Sequence, residues 1–285
     1  MRRFASCSIF LLLVSTACSS GRGPGTPIPM PAPPVPAPTL PTKGPWSFNY
    51  ASGTASYRIV RSAAIESRSA ANTQREVSTN ATHELLTFQV AGDTIHFTAV
   101  VDTFSTTTQG LIGPVQEVQL PAELAGSLVG DSLILSTDTL SNRCNPVRSA
   151  IATDVHNLIA RFPAQLSVGT SWKDSVDSRG CQGTISTTSH TIRSYTVSGE
   201  TEYQGSTVLL IQRTDVINAQ GEGAQQQHRI ILDANGTGNA VYYLNPRDGY
   251  VVRLIVGQDL NLTITASGQS NRFKQSSKQD FSLVR

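Results

Sequence analysis

The chain reads as mainly β: a large curved antiparallel sheet or half-open β-barrel carrying one amphipathic helix at about 146–162. Three observations lead there. Apolar and polar residues alternate again and again after residue 46, which is the period of a half-buried strand. Turn chemistry punctuates those runs. A single stretch has helical spacing, and a lone amphipathic helix in a β-rich chain must lie on a sheet.

The helix is the sharpest local pattern. Asn145 suits the N-cap and Pro146 the first helical position, where a missing N–H costs nothing. Val147, Ile151, Val155, Leu158, Ile159 and Phe162 recur at steps of three and four and share a face. Arg148, Thr153, Asp154, Asn157 and Arg161 are expected on the solvent side. Arg161 would sit in the last turn, favourable to the helix dipole, and Pro163 would stop the helix.

Strands are expected on both sides of it. Ile95, Phe97, Ala99 and Val101 alternate with polar residues after a Gly92-Asp93 turn. Leu133 and Leu135 follow Gly130-Asp131, and Leu260, Leu262 and Ile264 alternate likewise. Asn235-Gly236-Thr237-Gly238 reads as a turn between two strands, and 245–249 as a turn into another. Residues 208–211 are apolar on both faces, as in a central strand. Residues 184–196 are rich in Ser and Thr and read as a long, mostly exposed strand. Glu200 and Glu202 read as part of a solvated turn. Ten to twelve antiparallel strands result, the last near 273–284.

The chain begins with an export signal at 1–17. Arg2 and Arg3 precede an apolar run at 9–14, too short to span a bilayer, and small residues follow. Ser15-Thr16-Ala17-Cys18 resembles the lipobox of bacterial lipoproteins, with Ser15 standing where that family usually has Leu. The resemblance implies acylation of Cys18; an ordinary secretory signal cut after Ala17 is the other reading. Ser19, in place of Asp, implies by the same resemblance an outer-membrane address. Ten of the fifteen prolines lie in 21–45, so 18–45 reads as lipid-anchor Cys and Pro-rich linker, of which 21–45 could extend up to about 75 Å at ~3 Å per residue.

Residues 46–285 then form a single β-rich envelope domain. Four of the 22 basic residues (Arg2, Arg3, Arg22, Lys43) and none of the 20 acidic ones precede it, leaving 18 basic against 20 acidic. A near-neutral domain lacks the basic footprint that nucleic acid requires. Cys7 leaves with the signal. Cys144 and Cys181 remain as a pair suited to a disulfide in an oxidising compartment, and a poor zinc site without a neighbouring Cys or His.

A broader resemblance rests on Leu166-Ser167-Val168-Gly169-Thr170-Ser171-Trp172, then 195–199, 203–211 and 249–252. These look like the Val-Gly-x-x-Trp turn and later strands of an uncharacterised family of bacterial envelope lipoproteins. More loosely, the plan resembles the half-barrels of the LolA and LolB lipoprotein carriers, which implies an apolar chain held between curved sheet and helical cover.

Chemistry is sparse. No nucleophile elbow, zinc-protease helix or phosphate loop occurs. His83, His96, His156, His190 and His228 are scattered, so no catalytic, metal or cofactor residue is assigned. The expectation is a non-enzymatic envelope lipoprotein that binds an apolar or amphiphilic ligand, with Trp172, Ile151, Val155, Leu158 and Phe162 lining cavity or core. The alternative is a protein- or glycan-interaction module displayed on the tether. Trp172, after a Gly-Thr-Ser turn, is expected to plug the core where a strand enters, the functional reading being a lip of a ligand cavity; Trp46 is the other tryptophan to probe.

Overall fold

The computed structural model describes residues 44–68, 73–109, 120–129, 132–138, 146–182, 185–225 and 228–284. The elements in order are β1 (Trp46–Ser47), β2 (Gly53–Arg68), β3 (Thr73–Ala91), β4 (Thr94–Gln109), β5 (Ala122–Val129) and β6 (Ser132–Asp138). Then come α1 (Pro146–Leu158), β7 (Gln165–Leu166), β8 (Ser171–Gln182), β9 (Ile185–Tyr203), β10 (Ser206–Gln225), β11 (His228–Asn245), β12 (Tyr250–Ala266) and β13 (Gln269–Val284). Eleven strands form one antiparallel sheet in the order β6-β5-β4-β3-β2-β13-β12-β11-β10-β9-β8, curled nearly into a closed barrel. The short β1 and β7 pair separately. The mainly-β, half-barrel expectation therefore holds.

The topology follows from hairpin-type pairing of successive strands and one crossover. β2 to β6 meander to one edge of the sheet. The chain then passes through α1 to β8, the opposite edge, and meanders back until β13 pairs with β2. The helix touches β5 and β8, so it lies along the open seam. Two-residue loops join β9 to β10 at Gln204-Gly205 and β12 to β13 at Ser267-Gly268. All four residues have positive φ, the twist that a two-residue hairpin needs.

The main core lies between the sheet's inner face and α1. Ile59, Leu86, Leu124, Leu209, Tyr242, Leu254 and Phe281 meet Ile151, Val155 and Leu158, all at most 1% exposed. Residues 208–211 are indeed apolar on both faces. Leu209 and Ile211 join this core, while Val208 and Leu210 join a second cluster with Val241, Tyr243, Val252 and Ile255. A third cluster, built on Ile185, Leu232, Leu262 and Phe273, closes the far end of the strands.

The structure corrects several expectations. Residues 235–238 are not a turn but the middle of β11, paired on both sides. Their glycines answer to crowding: a Cβ on Gly236 would collide with the Asp259 carbonyl oxygen, and one on Gly238 would press on Asp215 Oδ2. The helix ends at Leu158, leaving Arg161 outside it, and Asp154 and Asn157 are buried where solvent exposure was expected. β9 is paired on both flanks and buries Ile185, Arg193 and Tyr195, although Ile192 stays exposed. Glu200 and Glu202 lie within β9, past a bulge that leaves Ser198 unpaired, and not in a turn. The 245–249 turn is as expected: Asn245 Oδ1 accepts from the Arg247 and Asp248 amides.

Asn145, Gly130-Asp131, Cys7, Cys18, Cys144 and the whole of 1–43 lie outside the described residues, while Cys181 in β8 is engaged with a partner. The crowding at Gly236 gives a test of the continuous strand. Gly236→Ala is expected to cost about 1–3 kcal/mol as an overpacking change. Urea unfolding would read it, and an unchanged midpoint would mean that the strand is not pinched there.

Candidate functional site

The helix seat is the most organised polar region of the molecule. The last turn of a helix leaves carbonyl oxygens without intrahelical donors, and here those oxygens point into the barrel. Arg193 Nη1 donates to His156 O at 3.1 Å, and Tyr242 Oη donates to Asn157 O at 3.1 Å. Tyr50 Oη reaches Leu158 O at 3.3 Å and Ala160 O at 2.7 Å. Arg213 Nη1 donates to Asn157 Oδ1 at 3.1 Å and to Tyr242 Oη. Cations at this end also suit the helix dipole. The early stop at Leu158 follows from this arrangement, since Tyr50 takes the carbonyls that further turns would use.

Each buried arginine has a carboxylate. Asp174 takes Arg193 Nε and Nη2 at 2.6 Å each, and Asp215 accepts from Arg213 Nη2 at 2.9 Å. Arg61 on β2 pairs with Asp154 of α1 and donates to Thr82 Oγ1 at 2.7 Å. Glu84 on β3 faces Asp154 as a fourth carboxyl and is fully buried. Burial, reinforced by the charge of Asp154, pushes the Glu84 carboxyl well above the usual range. Burial pushes Asp154 up to about 6, against the pull of Arg61. Among the described residues no other donor reaches the Glu84 oxygens or Asp154 Oδ1, so a proton held on Glu84 is what lets the two carboxyls meet. Burial, with Arg193 adding to it, pushes His156 down to about 4, so its imidazole is neutral.

Of the residues expected to line cavity or core, Ile151, Val155 and Leu158 are in the core and are covered by the sheet. Trp172, at the start of β8, stacks on Tyr195 at 4.9 Å and meets Phe162 edge-on at 6.0 Å. Gly169, with φ of 85°, turns the chain into that strand. Trp46 is half-buried and packs on the same core. Phe162 also lines an open cleft of about 350 Å³ between the β3–β4 hairpin and the segment after α1. Phe48, Tyr50, Ile95 and Leu128 form its apolar wall, and Asp93 and Arg161 stand exposed at its rim. The rings of Phe48, Tyr50 and Phe162 touch one another.

Arg61, Glu84, Arg193, Arg213 and Tyr242 were not among the expected site residues. A charged residue at an inward position of an alternating strand was the available signal. The histidines are not as scattered as they looked: His83 lies between Ser56 and Asp102 on neighbouring strands. Among the described residues no group of three or more His, Cys, Asp or Glu could hold a metal ion. No protein-family model matches the chain, and no curated protein matches it.

Two measurements test this seat. Trp172 is half-buried against the core, so Trp172→Ala is expected to cost about 2–3 kcal/mol, less than truncation of a fully buried Trp, and an unchanged melting curve would remove Trp172 from this packing. Glu84→Gln probes the proton. Raised carboxyls bind more protons folded than unfolded, so this pair lowers stability as pH rises above the usual carboxyl range. Neutral His156 acts oppositely, between about pH 4 and its ordinary value near ~6.5. The difference between Glu84→Gln and the parent separates the two: the melting temperatures should nearly coincide around pH ~4.5 and the variant should gain as pH rises to ~8. A gap that does not widen would show that Glu84 holds no proton.

Proposed function

We propose that the chain is a lipid-anchored protein of the bacterial cell envelope, on the outer membrane, whose barrel mouth binds an amphiphile. The observation that carries the ligand reading is the aromatic-walled cleft at the end of α1. At about 350 Å³ it falls within the usual range of small-ligand sites. An aromatic and aliphatic wall stands beside a polar one with a charged rim, as an acyl chain with a polar head requires. The export signal, Cys18 and the proline-rich 18–45 segment support the anchored address. Cys144 and Cys181 are proposed to form the disulfide, which fixes the approach to α1 against the edge strand β8.

A second reading, an interaction module for protein or glycan, draws on one observation. Ile192 and Val216 are directly opposite each other on β9 and β10 and are 41% and 53% exposed. They form an apolar spot in a Ser- and Thr-rich sheet face.

Native mass spectrometry of the full chain, exported through an oxidising compartment and then mixed with a long-chain fatty acid, tests the first reading. The expected spectrum shows one bound amphiphile, lost on Phe162→Asp, and a polypeptide mass lacking two thiol hydrogens. A bare polypeptide at excess fatty acid would overturn the amphiphile reading. Free thiols at Cys144 and Cys181 would overturn the disulfide separately.

A further inference from the structure

Away from the helix seat, three side chains on adjacent strands form a hydrogen-bonded relay on the outer face of the barrel. Ser56 lies on β2, His83 on β3 and Asp102 on β4. Ser56 Oγ is 2.7 Å from His83 Nε2, and His83 Nδ1 is 2.9 Å and 3.0 Å from the two oxygens of Asp102. A carboxylate only accepts hydrogen bonds, so Nδ1 carries the proton facing Asp102. In the neutral imidazole Nε2 is then the acceptor, and the Ser56 hydroxyl donates to it. This is the polarity of a nucleophile, a base and an orienting acid.

Backbone geometry makes the relay. His83 pairs with Thr103 and Glu84 with Val101, so a bulge leaves Asp102 as an extra residue on β4. Bulges re-aim side chains, and this one brings Asp102 to the imidazole. Ser56 also opens onto a cleft of about 270 Å³ whose walls include Ala55, Val252, Leu283 and Val284. Arg58 is two residues further along β2, on the same face, and directly opposite His83. It is exposed and has no hydrogen-bond or ion-pair partner among the described residues. A free cation beside a nucleophile is suited to a developing oxyanion.

We propose that Ser56, His83 and Asp102 form a hydrolytic site for carboxylic esters with a short or medium acyl chain. Ser56 Oγ attacks the carbonyl carbon while its proton passes to His83 Nε2. Arg58 faces the negative charge that gathers on the carbonyl oxygen. The C–O bond to the alcohol breaks, and the leaving alkoxide takes the proton from His83. Water then adds to the acyl-Ser56 ester, giving its proton to His83, and Ser56 leaves with that proton restored. The net reaction consumes one ester and one water and yields one acid and one alcohol, with no further reactant. Ser56 and His83 are the catalytic residues, and Asp102 is a positioning residue. The proposal is independent of amphiphile binding at the barrel mouth.

The test uses the full-length chain in mild detergent with p-nitrophenyl butyrate and a fluorophosphonate probe. The expected result is ester hydrolysis above that of Ser56→Ala and a single phosphonate adduct mapped to the peptide holding Ser56. Asp102→Asn should keep the parent's circular dichroism and KM while kcat falls by about 100-fold or more. Hydrolysis unchanged in Ser56→Ala, or no adduct on Ser56 in the parent, would overturn the site and leave a surface hydrogen-bond relay. The adduct is read on the parent chain, so the result stands even where a variant folds poorly. An unchanged kcat in Asp102→Asn would remove Asp102 from its positioning role.

Discussion

The buried carbonyl end of α1 is the constraint around which the barrel is arranged. A helix terminus taken out of water must find donors for its last oxygens, or each lost hydrogen bond costs on the order of 1–3 kcal/mol. Here the donors come from β9, β11 and the strap before β2: Arg193, Tyr242 and Tyr50, while Arg213 of β10 holds the Asn157 side chain and the Tyr242 hydroxyl. Each guanidinium brought inside demands a carboxylate. Arg61, Arg193 and Arg213 face Asp154, Asp174 and Asp215. Three charges of each sign then cancel, and that balance holds only while Glu84 is neutral. The upward push on Glu84 is thus what keeps the helix seat electrically neutral, a condition set by the whole belt and not by the pair alone. Buried ion pairs of this kind add little net stability over an apolar core but punish any misplacement of a partner. Their effect is to fix one position of the helix.

That position determines where a ligand can go. In a half-barrel whose helix lay loosely over the sheet, the space beneath it would be open. Here Ile151, Val155 and Leu158 fill that space, and the accessible apolar surface moves to the mouth, where Phe162 follows the helix end. The helix answers two needs at once. It supplies core for the inner face of the curled sheet, and it lies against the seam between the β5–β6 edge and β8, where the barrel does not close on itself.

The strand periodicity and the helix were legible in the sequence because both are properties of neighbouring residues. The correct half-barrel follows from them. Less legible was anything that depends on what lies across the sheet. Gly236 and Gly238 look like turn residues locally, yet they are required by a carbonyl of β12 and a carboxylate of β10. Asp154 and Asn157 look like the polar face of a surface helix, because nothing nearby in sequence announces Arg61 or Arg213. The hairpins at Gln204-Gly205 and Ser267-Gly268 carry only half of the usual turn signature, since Gln and Ser are not residues that favour positive φ. His83 looked isolated because its two partners are 27 and 19 residues away.

The alternation that hid these contacts also gives β2 two unrelated faces. Tyr57 points inward and donates to Val251 O at 2.9 Å, holding β12 to the core. Its neighbours Ser56 and Arg58 point outward, free of any packing duty. A core strand this firmly held is a rigid base for an outward-facing group: Ile59 and Tyr57 are at most 1% exposed, so Ser56 cannot drift relative to β3 without disturbing the core. A hydrogen-bonded relay needs its members held to a few tenths of an ångström, and loops rarely supply that. A sheet surface seldom offers a cleft, which is what a site on strands usually lacks. Here β2, β12 and β13 converge beside the 245–249 turn, and Asp248 and Tyr250 help to wall one. The placement of chemistry on this barrel follows from the packing beneath it.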